Sequence, residues 1–235
     1  MQRPNDWSIT DKEKEELEQL VEGFSSLPDE ERVAISTPYR AKRIANELIA
    51  VGEDGWTQSS HDKNCTLHSR QVDSIGKLFR VTTTLTNTNA EKVLALLQDF
   101  QNFPKWNSNV HEIKLIKKMP LNVSIQCMTS KPKAAGMISS REFITAIMTD
   151  KEQEDNIYQY GASINWSDHE SEKGKVRGFQ RIFYLHLQTN KENNSCKFTQ
   201  FICTEPNGSF PQKLVDSTIG SSVIQNANNI QSQFK

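Results

Sequence analysis

The side chains in this 235-residue chain best suited to nucleophilic or metal chemistry are five histidines (His61, His68, His111, His169 and His186) and four cysteines (Cys65, Cys127, Cys196 and Cys203). A helical zinc site needs ligands one turn apart, and a serine hydrolase needs its nucleophile on a glycine-flanked elbow. Neither HExxH nor GxSxG occurs, nor does a phosphate-binding glycine loop. The histidines show no ligand spacing and the cysteines no CxxC pair, so neither a zinc site nor a redox motif is expected, and the thiols are read as reduced. The chemistry these residues predict is binding, with no catalytic residue, no metal and no cofactor.

Charge removes a further class. With 28 basic and 29 acidic residues, the net charge of -1 lacks the basic footprint of a nucleic-acid binder. The first residues, MQRPNDWSIT, carry no apolar signal run, and no stretch reaches the roughly 20 apolar residues that cross a bilayer. A cytoplasmic protein is expected.

Periodicity supplies the elements that would shape a binding site. Thr10 and Glu13 form a capping box ahead of residues 11–24, where Leu17, Leu20, Val21 and Phe24 share one helical face. With the linker that follows, residues 1–35 are read as an acidic extension, and the main domain as residues 36–235. Thr37 and Pro38 suit an N-cap and first-turn proline of a helix ending before Gly52. Strand-like alternation follows at 66–72 and 78–85. A helix is expected over 89–100, capped by Asn87 or Thr88, with Val93, Leu94, Leu96, Leu97 and Phe100 inward. Further strands are expected at 110–117, 123–129, 142–149, 157–164, 176–187 and 197–204. Leu214, Val215, Ile219, Val223, Ala227, Ile230 and Phe234 then recur at three- and four-residue steps across a closing helix, 211–234. The pattern describes an α+β domain whose antiparallel sheet curls around its last helix.

Five segments make a resemblance specific. They are GEDGWTQ (52–58), WNSNVHEIKLIKK (106–118), AAGMISSREF (134–143), VRGF (176–179) and the terminal FPQKLVDSTIGSSVIQNANNIQSQF (210–234). In this order they resemble START (StAR-related lipid-transfer) domains over about residues 36–235, nearest to the small soluble sterol-carrier members. The resemblance implies a helix-grip fold: a curved antiparallel β-sheet around an apolar tunnel, closed by a long C-terminal helix. It also implies an intracellular carrier of one apolar lipid, a sterol such as cholesterol foremost, that touches membrane surfaces transiently during transfer. Other cargoes (a carotenoid, a fatty acyl lipid, a phospholipid) stay open, as does a lipid-sensing module that engages a protein partner through residues 1–35.

The ligand-binding residues implied are Met128, Ile147, Ser163, Ile219, Val223 and Ala227. In the sterol-carrying branch an acid and an arginine stand on facing tunnel strands, and those positions fall here on Met128 and Ile147. Losing both charges together avoids a buried unpaired ion, so a less polar tunnel is expected. Ser163 would offer a hydroxyl, while Ile219, Val223 and Ala227 would form the lid, with Gly220 as a point of bending. Lys131 and Lys133 are read first as a solvated loop, with contact to anionic lipid, each worth about 1 kcal/mol at a charged surface, as the alternative. Arg141 with Glu142, Trp106 with Asn107, and Arg177 with Gly178 are read as structural supports outside the ligand set.

Overall fold

The computed structural model describes residues 15–235 apart from 17, 20, 21, 63, 64, 154, 168 and 170–173. Leu17, Leu20 and Val21, on which the expected helix over 11–24 depends, lie outside the described residues. Phe24 is described, and with Leu27 it packs against the core.

Helix α1 runs over Asp29–Ala50, starting earlier than its Thr37–Pro38 signal suggested. Asp29, Glu30 and Glu31 occupy the first turn, where negative charge complements the helix dipole. Thr37 is no cap: its hydroxyl donates to the Val33 carbonyl at 2.7 Å, and Pro38 stands inside the helix. A mid-helix proline costs about 3 kcal/mol. The helix persists because Ile35, Ile44 and Leu48 bury one face, each worth roughly 1.5–3 kcal/mol. The boundary expected between residues 35 and 36 thus falls within one continuous helix.

After α1 come β1 (Thr57–His61), β2 (Cys65–Val72) and β3 (Gly76–Thr86), then helices α2 (Ala90–Gln98) and α3 (Phe103–Trp106). Asn89 caps α2, accepting from the Lys92 N–H at 2.9 Å; the cap expected at Asn87 or Thr88 lies one residue further on. The chain continues through β4 (Val110–Met119), β5 (Val123–Ser130), β6 (Arg141–Gln153), β7 (Asn156–Ser163), β8 (Val176–Arg177), β9 (Phe179–Asn190) and β10 (Ser195–Glu205) to helix α4 (Gln212–Ser232).

The strands form one sheet in the order β1-β2-β3-β10-β9-β7-β6-β5-β4, antiparallel throughout, with β8 pairing parallel to β6. The single run expected over 176–187 is interrupted at Gly178, whose missing side chain makes room for Phe143: a Cβ there would lie 2.4 Å from that ring. Alternation along β6 sorts residues between two faces. Ile144, Ala146 and Met148 join α1 in one core cluster. Phe143, Thr145 and Ile147 face the opposite side, where α4 packs on β2 and β3. Gly220 is the point of closest approach: a Cβ there would stand 3.3 Å from Leu67, so this glycine serves packing, a role not anticipated for it. The result is the helix-grip architecture, an antiparallel curved sheet gripping its C-terminal helix.

Candidate functional site

Between the sheet and α4 lies a cavity of about 270 Å³. Its wall is written in alternate residues of five strands: Gln126, Met128 and Ser130 on β5, Phe143, Thr145 and Ile147 on β6, Gln159 on β7, Gln180, Phe183 and Leu185 on β9, and Phe198, Gln200 and Ile202 on β10. Helix α4 closes it with Val215, Ile219 and Val223, and α2 contributes Leu97.

Four of the six expected ligand residues, Met128, Ile147, Ile219 and Val223, line this space. Met128 and Ile147 are not cross-strand partners; Met128 stands opposite Phe143, and Ile147 opposite Ser124. The other two are placed differently. Ser163 is not among the described residues that line the cavity, and its hydroxyl accepts the Gln180 backbone N–H at 2.9 Å. Ala227, almost fully buried, packs in the core cluster that α4 shares with β2 and β3.

The wall is uncharged at Met128 and Ile147 and carries polar side chains elsewhere. Four glutamines, Gln126, Gln159, Gln180 and Gln200, are each less than 10 % exposed and line the cavity. The Gln126 amide donates to Ser124 Oγ at 2.9 Å and the Gln159 amide to Thr149 Oγ1 at 3.1 Å. Among the described residues, the side-chain amides of Gln180 and Gln200 have no hydrogen-bond partner. Sequence periodicity held this signal, a polar residue recurring on the inward face of successive strands, but it reads equally as a solvent-facing sheet until α4 is seen to cover it.

Two cations, Lys133 and Arg141, also line the cavity. Lys133 donates to Asn109 Oδ1, and burial, then the neighbouring Lys131, holds its ammonium below the usual range. The Arg141 guanidinium is 4 % exposed as a residue and is satisfied by loop carbonyls, those of Ser139, Pro206 and Asn207. It also lies over the Phe210 ring, joining the loop after β5 to the loop before α4. Glu142, pointing the other way, pairs with Arg177 at 2.9 Å. Asn107, expected as a turn anchor, lines the cavity and donates to Asn226 of α4 at 2.7 Å; Asn109 donates to the Ser222 carbonyl at 3.0 Å.

Behind the wall, Cys127 Sγ, a Glu142 carboxylate oxygen and a His169 nitrogen lie within 4.8 Å of one another. No sequence spacing announced this trio. It could ligate a divalent ion only with the thiol deprotonated, yet burial and then Glu142 push that thiol up to about 12. With Arg177 already on Glu142, the trio fits a hydrogen-bonded knot that ties β5 and β6 to the segment before β8.

A curved sheet closed by a C-terminal helix over a mainly apolar cavity defines the helix-grip class of binding folds. The family model for the START domain matches residues 39–234, and the chain belongs to that family. It is 20% identical over 187 residues to the mitochondrial steroidogenic acute regulatory protein of Oncorhynchus mykiss, covering 77% of this chain and 64% of that protein. The chain therefore spans just under two thirds of that relative's length. Human StAR-related lipid transfer protein 5 superposes with a TM-score of 0.74 at 19% identity, covering 83% of this chain and 94% of its own. The STAR-related lipid transfer protein of Xanthomonas axonopodis gives 0.66 at 20% identity, covering 77% of this chain and 99% of its own.

Proposed function

We propose that this protein binds one lipid in the cavity beneath α4 and carries it between membranes, with a sterol as the leading ligand class. The observation that carries the reading is the cavity itself, set between sheet and closing helix, where a packed core would leave no space of ligand size. Burying a few hundred Å² of ligand at roughly 25 cal/mol per Å² supplies on the order of 10 kcal/mol before entropic costs, enough for tight but reversible carriage. Phospholipid is the least favoured cargo, since a buried phosphate wants a free guanidinium and Arg141 is already satisfied by carbonyls.

The reading is of a carrier and not an enzyme. Among the described residues that line the cavity there is no Asp, Glu, His or Cys to act as nucleophile or general base. Contact with a membrane is assigned to the loop after β5, where Met137 is 65% exposed near Lys131 and Lys133. No described helix is long and apolar enough to cross a membrane; work in the cytoplasm at membrane surfaces is part of the proposal. Packing of Phe24 and Leu27 on the core favours a stabilising role for the N-terminal segment over a partner-binding one.

Incubation of the purified chain with mixed liposomes, re-isolation and mass spectrometry tests this. One sterol per chain with accelerated vesicle-to-vesicle transfer supports the full reading. A different lipid keeps the carrier and changes its cargo, and no extracted lipid removes the carrier.

A further inference from the structure

The four buried glutamines are arranged in bands. Register places Gln126 opposite Thr145, and Gln180 opposite Thr204, with Thr145 in turn opposite Ser163, whose hydroxyl accepts from Gln180. Gln126, Thr145, Gln180 and Thr204 all line the cavity, forming one polar belt toward the end that Arg141 lines. The next row inward is apolar: Ile147 faces Gly161, Gly161 faces Phe183, and Phe183 faces Ile202. Beyond it polarity returns, because Gln159 faces Leu185 and Leu185 faces Gln200. Past this second belt the space is closed by Ile157, Leu187 and Phe198, all fully buried in the α4 core.

Gln159 and Ser163 are four residues apart on β7, as are Gln200 and Thr204 on β10, so the belts lie about 13 Å apart at roughly 3.3 Å per residue. That distance is of the order of the long axis of a fused four-ring nucleus. A ligand with one hydroxyl satisfies one belt and leaves one amide of the other, Gln180 or Gln200, dry and unpaired, a costly state in an enclosed apolar site. No charged side chain stands at the deep belt, which excludes an anionic end as its complement.

From this banding we infer that the preferred cargo is a neutral lipid oxygenated at both ends, with the deep oxygen held between Gln159 and Gln200 and the outer one at the Gln126–Gln180 belt. The inference rests on the carrier reading and narrows it, from a monohydroxy sterol to a bipolar steroid-like molecule.

Its test is equilibrium dialysis of the purified full chain against androstanol, hydroxylated at one end of the steroid nucleus, and androstanediol, hydroxylated at both, with bound steroid counted by mass spectrometry. The diol is expected to bind about 10-fold more tightly, the discrimination typical of a site that pairs an extra hydroxyl. Gln159→Met and Gln200→Met, similar in length and apolar, should bring the two affinities within about twofold of each other. Equal binding of both steroids by the unaltered chain overturns the inference, as does an undiminished preference in folded double variants. The unaltered chain decides alone should the variants not fold. If neither steroid binds but liposome lipid is extracted, the bipolar cargo falls and the carrier stands; if nothing binds at all, the carrier reading falls first.

Discussion

Ile147 and Gly161 face each other across β6 and β7 so closely that a Cβ on Gly161 would lie 2.9 Å from Ile147 Cγ1, and 2.6 Å from the Ala146 carbonyl oxygen. The absent side chain on β7 leaves room for Ile147, which lines the cavity between the two glutamine belts.

Gly161→Ala should therefore push Ile147 and the β6 backbone apart. The expected loss is about 1–3 kcal/mol of stability, as for other overpacked sites. Lipid recovered per chain after liposome incubation should fall with it. Unchanged denaturation and unchanged uptake would show that the wall tolerates the shift.

Ile147→Arg places a guanidinium on the apolar row, between Ser124 and Gly161 on the neighbouring strands and with no acid among the described residues that line the cavity. An uncompensated buried charge is worth roughly 3–5 kcal/mol, so apolar-ligand binding should be lost, while Ile147→Met should retain it. Normal sterol uptake by a folded Ile147→Arg variant would falsify the placement of this residue in the ligand wall.

Asn107 and Asn109 form a hydrogen-bonded seam along α4. Asn109 holds the helix through the Ser222 carbonyl, a bond worth about 1 kcal/mol. If ligand exit requires that seam to open, Asn109→Ala should speed exchange about fivefold with little change in the bound lipid, read by stopped-flow transfer to acceptor vesicles. A rate equal to that of the unaltered chain would place the exit elsewhere.

Stability should fall on both sides of neutrality. Burial pushes the thiols of Cys127, Cys196 and Cys203 each up to about 12. These groups keep their protons in the folded state while the unfolded chain loses them from the ordinary value of 9.0, so stability is complete below about pH 9 and declines toward pH 12. Burial lowers His68 and His186, so the unfolded chain takes up protons first, and stability present above the ordinary 6.5 is lost as pH drops below it. Denaturant midpoints from pH 5 to pH 11 should trace a dome, and His186→Gln should flatten its acid limb. A midpoint constant across that range would overturn the assignment.

Much of this was legible along the chain. Period-two runs marked β2 to β7 and β10 to within a few residues because most of these strands bury at least one face, and period-three-and-four apolar steps marked α4. The α1 start escaped because Pro38 and Thr37 mimic a helix opening, and only burial against the sheet sustains a helix through that proline. Ser163 was read as a ligand contact because an inward strand position does not reveal whether the side chain reaches the cavity or packs beside the next strand, whose Gln180 N–H it accepts from.

The amino-acid order by itself determined which residues could make strands, which helix would close the fold, and that no catalytic motif accompanied them, since these follow from local periodicity and residue chemistry. Only the tertiary structure decided that Gln126, Gln159, Gln180 and Gln200, up to 74 positions apart, stand on one cavity wall in two belts. Register between strands depends on contacts made at a distance, and whether an inward polar side chain meets water, protein or open cavity depends on where α4 comes to rest.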